Sequence, residues 1–290
     1  MPSMESPAAQ PIEAAVGRKP TRPVTIVTGG SEGIGLAIAE RFAARGHILV
    51  LVARRQPPLE AAAEQLRRLH GVEVTTLSLD VGGAGALDAL DAHLANLGAH
   101  VEILVNSAGI GHCGDFVGID PGHLDRLLAT NVAAPSRLMR HVLPGMRQRA
   151  SGGILNVASL GGYAPGPYQA AYYASKAYLI SLSEAVAAEV RASGVRVTVV
   201  APGPINTLFH SKMYAESALY RRVFPAMSPE SAAGWAVRGF DLGVRLVVPG
   251  FLTFVAFAAL RIVPHRLLIP VMAALLHPRG SSGGGTAGDA

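Results

Sequence analysis

The patterned part of the chain begins with Val24–Thr28, a short β-branched run that stops at glycines. Apolar positions then recur at helical spacing over Gly33–Arg45, through Ile34, Ile38 and Phe42. Ile48–Ala53 is apolar without a break, the pattern of a strand covered on both faces. The alternation continues, with Pro58–His70 helical, Val74–Asp80 strand-like, Ala86–Leu97 helical and Ile103–Asn106 strand-like. Ile154–Ala158 and Val195–Ala201 read as further strands, separated by the helical stretches Pro121–Arg149 and Tyr172–Ser193. Pro229–Asp241 reads as a helix with Ser228 as its N-cap, and Arg245–Pro249 as a last strand. Regular strand–helix alternation predicts an α/β fold built on one doubly wound parallel sheet of about seven strands, with helices on both faces.

Residues 23–250 form the patterned domain, and no second domain or internal repeat interrupts it. Residues 1–22 are rich in Pro and Ala and read as a flexible tail without an apolar core of signal-peptide length. Asn206–Met227 is a mixed segment carrying Phe209, Met213, Tyr214, Tyr220 and Phe224. After Gly250 come two apolar runs, Phe251–Arg261 and Pro264–His277, broken by Pro264 and Pro270. Residues 251–278 are therefore expected to be an apolar helical extension of the same domain, and the Gly- and Ser-rich residues 279–290 a second flexible tail. Neither run reaches the roughly 20 residues that a spanning helix needs. Packing over the cleft or against a partner subunit is the leading reading of the extension. Docking at a membrane edge, with Arg261, His265, Arg266 and Arg279 flanking the apolar stretches, comes second.

Composition narrows the picture. Of the 290 residues half are hydrophobic and 16% charged, which excludes global disorder and allows a large core. The net charge of +5 comes from arginines spread along the chain, not from a basic tract, so no nucleic-acid partner is expected. Cys113 is the one cysteine, which rules out an internal disulfide and makes a cysteine-based metal site unexpected. This fits a cytoplasmic protein, with membrane association as the second option.

The candidate chemistry lies where strands end. Thr28-Gly29-Gly30-Ser31-Glu32-Gly33-Ile34-Gly35 follows the first strand and opens the first helix, the context in which a glycine loop binds phosphate. Gly29 permits a tight turn, and Gly33 and Gly35 let backbone approach a pyrophosphate at the helix N-terminus. Ser31 and Ile34 belong to the same loop. The second strand ends Ala53-Arg54-Arg55 with no acid before Glu60, and Arg54 can grip a 2′-phosphate, favouring NADP(H) over NAD(H). Glu32 argues the other way, by repelling such a phosphate or holding Arg54. Asp80 is read as an acceptor from the adenine amine or as a turn residue. Asn106-Ser107-Ala108-Gly109 ends the fourth strand, at the crevice where strand order reverses.

Lys176 is one of three lysines against 22 arginines, and it stands four residues after Tyr172, on the same helical face. Thirteen residues before that tyrosine, Ser159 closes a strand. A serine from a strand end with a tyrosine and a lysine from a helix make a proton-transfer site. Tyr173 and Tyr168 lack the four-residue spacing and are expected to line the pocket. Tyr163, Pro165 and Asn206–Met227 are expected to wall an apolar substrate.

These motifs, with Asn131, Pro202-Gly203 and Thr207, stand in order over residues 28–207, and on them the chain resembles the classical short-chain dehydrogenase/reductase family. Within it the chain is similar to a bacterial subgroup labelled DltE-like, and more distantly to 3-ketosphinganine and long-chain 3-ketoacyl reductases. Ser107 departs from the family's usual second Asn. The resemblance implies a Rossmann-type fold and a homo-oligomer, dimer or tetramer. It implies Tyr172 as general acid and base, and Lys176 as the cation that lowers its pKa and holds the nicotinamide ribose. Ser159 would bind the substrate oxygen, Asn131 would hold a relay water, and Pro202, Gly203 and Thr207 would border the nicotinamide. The implied reaction is NADPH-dependent reduction of a hydrophobic ketone or aldehyde, without a metal. An NAD-dependent alcohol, steroid or lipid dehydrogenase is the alternative. A non-catalytic NADP-binding regulator is more remote, since Tyr172 and Lys176 are both present.

Overall fold

The computed structural model describes residues 21–207 and 226–278, so the expectations for both tails and for most of Asn206–Met227 lie outside the described residues. Seven strands form one sheet: β1 (Arg22–Thr28), β2 (Leu49–Ala53), β3 (Val74–Ser78), β4 (Ala99–Asn106), β5 (Gly153–Val157), β6 (Arg196–Val200) and β7 (Leu246–Val247). Their order is β3-β2-β1-β4-β5-β6-β7 and all neighbours are parallel. The direction of winding reverses between β1 and β4, where Thr28 lies opposite Asn106. Such a reversal opens a crevice at the carboxyl ends of the strands.

The uninterrupted apolar runs are explained by two cores. Leu49 and Leu51 face one layer, with Phe42 of α1 (Gly33–Ala43), Leu59 of α2 (Gln56–His70) and Phe240 of α7 (Pro229–Asp241). Val50 and Val52 face the other, with Leu90 of α3 (Ala86–Leu97) and Met139 of α5 (Ala134–Arg149). Alternate side chains of one strand thus reach opposite layers, and both layers demand apolar residues. Phe240 meets Phe42 edge-on, with centroids 6.2 Å apart, and it lies so close to β5 that a Cβ at Gly153 would stand 2.4 Å from its ring. Ser228 caps α7 as expected, accepting from the Ser231 amide at 3.2 Å.

The expected helix over Pro121–Arg149 is interrupted. α4 (Pro121–Leu128) runs into a π-helical turn over Ala129–Ala133 before α5 begins. α6 (Ala170–Glu189) follows β5, and the residues after Gly250 form α8 (Phe251–Ile262) and α9 (His265–Leu276).

Candidate active site

The glycine loop is held open by backbone crowding. Gly29 has φ 67°, and a Cβ there would stand 2.9 Å from Ala108 backbone; a Cβ at Gly35 would stand 2.2 Å from the Gly29 carbonyl oxygen. Thr28 ties the two strand tips together, its Oγ1 donating to the Val105 carbonyl at 3.2 Å and accepting from the Ser107 and Ala108 amides at 3.1 and 3.2 Å. Glu32 precedes α1 without capping it through its side chain, and it borders the loop cavity. A cradle of bare backbone at a helix N-terminus fits a dinucleotide's pyrophosphate. Gly29, Ser31, Gly33, Ile34, Gly35, Arg54, Asp80, Ala108 and Gly109 all border this cavity.

Three expectations for this end change. Glu32 holds Arg55, at 3.4 Å, and not Arg54. Both members of the pair are exposed, so it contributes little stability. Asp80 fills both of its proposed places at once, bordering the cavity while its Oδ1 accepts from the Gly82 amide at 3.0 Å. Asn106 does not reach the cavity. Strand alternation turns its side chain below the strand tips, where its Nδ2 donates to Asn156 Oδ1 at 2.8 Å; its own Oδ1 is buried without a partner.

Ser159, Tyr172 and Lys176 converge in the middle of the cavity. The hydroxyls of Ser159 and Tyr172 are hydrogen-bonded, and Ser159 Oγ also accepts from the Gly161 amide at 3.2 Å. Lys176 is 5% exposed; its Nζ donates to the Val157 carbonyl at 2.9 Å and lies 5.7 Å from the Tyr172 ring centroid. The expected lowering of the tyrosine pKa is reversed in the protein alone. Burial pushes Tyr172 up to about 12, against the pull of its Ser159 hydrogen bond, and burial pushes Lys176 down to about 8. Loss of hydration outweighs the Ser159 hydrogen bond at Tyr172 and alone accounts for the shift at Lys176.

Asn131 lies in the π turn, a placement common at functional sites. Both its amide N–H groups are engaged, with the Ile110 carbonyl at 2.8 Å and Ser175 Oγ at 3.1 Å, and its Oδ1 accepts from the Ile110 amide at 2.9 Å. The expected water would thus have to be held without these N–H donors; the side chain clamps the loop after β4. A Cβ at Gly109 would stand 3.5 Å from both Asn131 Oδ1 and Lys176 Nζ. Ser175 was not singled out in the sequence. It is buried and passes the clamp to α6 by donating to the Tyr172 carbonyl at 2.6 Å. Its place three residues after Tyr172 was the available signal.

The cavity encloses about 690 Å³ and continues past Pro202, Gly203 and Thr207 to an apolar end. Of the residues expected to wall that end, Asn206 borders the cavity and residues 208–225 lie outside the described residues. Tyr163 packs edge-on against Phe257, centroids 4.7 Å apart, and Tyr168, with φ 64°, packs on His277 at 4.9 Å. Neither they nor Pro165 borders the cavity, whereas Tyr173 does, its ring wedged against Gly161 and Gly166. Among the described residues, α8 and α9 supply apolar wall through Ala256, Leu260, Leu268, Met272 and Leu276. Among the described residues no cluster of His, Cys, Asp and Glu can hold a metal ion, and no helix is long and apolar enough to cross a membrane.

The short chain dehydrogenase family model matches residues 23–218. The chain is 33% identical over 225 residues to dehydrogenase/reductase SDR family member 4 of Sus scrofa, covering 75% of this chain and 80% of that protein. It is 34% identical over 186 residues to the very-long-chain 3-oxoacyl-CoA reductase of Bos taurus, a match that spans 63% of this chain and only 59% of the bovine protein. Among solved structures, a short-chain dehydrogenase from Sphingobium yanoikuyae in complex with NADPH superposes with a TM-score of 0.74 and 31% identity, over 90% of this chain and 99% of that one.

Proposed function

Since this chain belongs to the short-chain dehydrogenase family, and so is an oxidoreductase of CH–OH groups that uses a nicotinamide cofactor, we propose that it reduces a hydrophobic ketone or aldehyde with NADPH. The observation that carries this reading is the hydrogen-bonded Ser159–Tyr172 pair at the middle of a cavity with an apolar far wall. Bound reduced nicotinamide supplies the hydride. Ser159 orients the carbonyl oxygen toward Tyr172, which donates the proton. A phenol of pKa about 12 holds its proton at neutral pH, as a donor in the reductive direction must. The Lys176 ammonium supports the phenolate left behind, and Asn131 holds the loop after β4 against α6.

The apolar wall and the similarity to a very-long-chain 3-oxoacyl-CoA reductase support a ketone on an aliphatic chain. Each methylene buried adds about 0.8 kcal/mol of binding. In NADPH oxidation assays, kcat/KM should therefore climb along a series of methyl ketones of increasing chain length. A preference for small polyhydroxy ketones would overturn the substrate class.

Cofactor choice is assigned to Arg54, which borders the adenosine end while Arg55 is paired with Glu32. Losing one charge-assisted contact to phosphate costs about 1.5–3 kcal/mol. Arg54→Ala should then weaken NADPH binding roughly ten- to a hundredfold and leave NADH nearly unchanged. Equal affinity of the unaltered protein for both cofactors would favour the NAD-dependent reading.

The pH profile follows from Lys176. Its pKa is lowered to about 8, so the ammonium is complete well below that pH and lost above it. The kcat/KM for NADPH in ketone reduction, which reports the free enzyme, should be flat near pH 7 and fall as pH rises through about 8. A profile flat to pH 10 would remove Lys176 from this role.

A further inference from the structure

Helices α8 and α9 are apolar on two sides. Ala256 and Leu260 point into the cavity, while Phe251, Val255 and Ile262 fall about half a turn away and stand exposed, Phe251 by 84% and Ile262 by 80%. A helix apolar all round belongs in an apolar medium on every side, and water meets the outer side here. Residues 261–267, which run from the end of α8 into the start of α9, are exposed without a break and mix two arginines with apolar groups: Arg261, Ile262, Val263, Pro264, His265, Arg266, Leu267. From Phe251 to Pro278 there is no Asp or Glu.

We propose that the α8–α9 pair is a membrane dock, laying its outer face into the headgroup region of a bilayer that carries anionic lipid. Exposed Phe and Ile with Arg beside them and no acid match such an interface in both polarity and charge. A second copy of the chain is the poorer occupant. A two-fold contact would bring together two such segments, each carrying Arg261 and Arg266 and neither carrying an acid. The dock stands independently of the catalytic reading. If that reading also holds, the same two helices separate lipid from the substrate cavity, and an apolar ketone passes from one to the other without crossing water.

The test is flotation of the full chain with vesicles of phosphatidylcholine, alone or with roughly 30% phosphatidylserine. The protein should float with the anionic vesicles, and salt should weaken the association. Phe251→Asp with Ile262→Asp should reduce partitioning by roughly tenfold or more. Circular dichroism and turnover of a small ketone should stay close to those of the unaltered protein, since neither side chain borders the cavity. Arg261→Glu with Arg266→Glu should abolish the preference for phosphatidylserine. The proposal fails if the unaltered protein stays at the bottom of the gradient, or if the Phe251/Ile262 variant floats equally well. It fails too if sedimentation velocity shows a dimer that this variant splits while vesicles leave it intact. An unaltered protein that floats with anionic vesicles but turns over no ketone would strike at the catalytic reading alone.

Discussion

Tyr172→Phe should abolish turnover while leaving NADPH affinity within about twofold. The substitution removes one hydroxyl, the group hydrogen-bonded to Ser159, and keeps the ring beside Lys176. Positioned proton transfer contributes about 10²–10⁴-fold, and no other described hydroxyl takes its place beside Ser159 with the same reach to Lys176. Tyr173→Phe is the control. Its ring fills the space against Gly161 and Gly166, a role that phenylalanine keeps, so most activity should persist. Steady-state NADPH oxidation together with cofactor titration by fluorescence separates the two effects. Near-normal rates for Tyr172→Phe would end the assignment; loss of cofactor binding would show that the tyrosine holds the cofactor rather than the proton.

Gly35→Ala should be nearly as damaging, through binding instead of chemistry. The new Cβ would lie 2.2 Å from the Gly29 carbonyl oxygen and 2.9 Å from its carbon, both backbone atoms that no rotamer change can move. The loop must shift away from α1, and Gly29 is itself pinned against Ala108 backbone on its other side. Such overpacking costs about 1–3 kcal/mol of stability. A pyrophosphate cradle displaced by even an ångström loses its aligned amides, so NADPH affinity should fall by roughly a hundredfold or more. Calorimetric titration and thermal unfolding read the two losses separately. Unchanged affinity would mean that the cofactor does not use this loop.

The sheet was legible because its strands are buried on both faces and its helices keep their apolar spacing. The cluster of Ser159, Tyr172 and Lys176 was legible because spacing on one helix fixes which side chains share a face. What escaped has a common cause. The sequence shows which residue types end a strand, but not into which layer each side chain turns, and so Asn106 was expected at the cofactor, whereas its side chain pairs with Asn156 and does not border the cavity. It shows two neighbouring arginines but not which one Glu32 reaches, and the answer is Arg55. It shows aromatic residues after Ser159 but not that Tyr163 and Tyr168 are taken by Phe257 and His277, while helices about a hundred residues further on border the cavity. Long-range packing decides all three, and none leaves a periodic trace.

The buried amide pair Asn106–Asn156 also bears on how the sheet aligns while it forms. β4 and β5 are otherwise aliphatic at their paired ends, with Leu104 beside Ile154 and Val105 beside Leu155, so hydrophobicity discriminates poorly against strand slippage. The amides do discriminate. In the native alignment Asn106 and Asn156 are opposite each other, and Asn156 passes a second hydrogen bond at 2.8 Å to Ser183 of α6. A shift of one residue separates the pair and leaves buried polar groups unmatched, at about 1–3 kcal/mol each. The same shift would carry Ser159, two residues beyond the end of β5, about 3.3 Å along the strand direction and out of reach of Tyr172. The amide pair thus favours the one strand alignment in which the reacting groups meet.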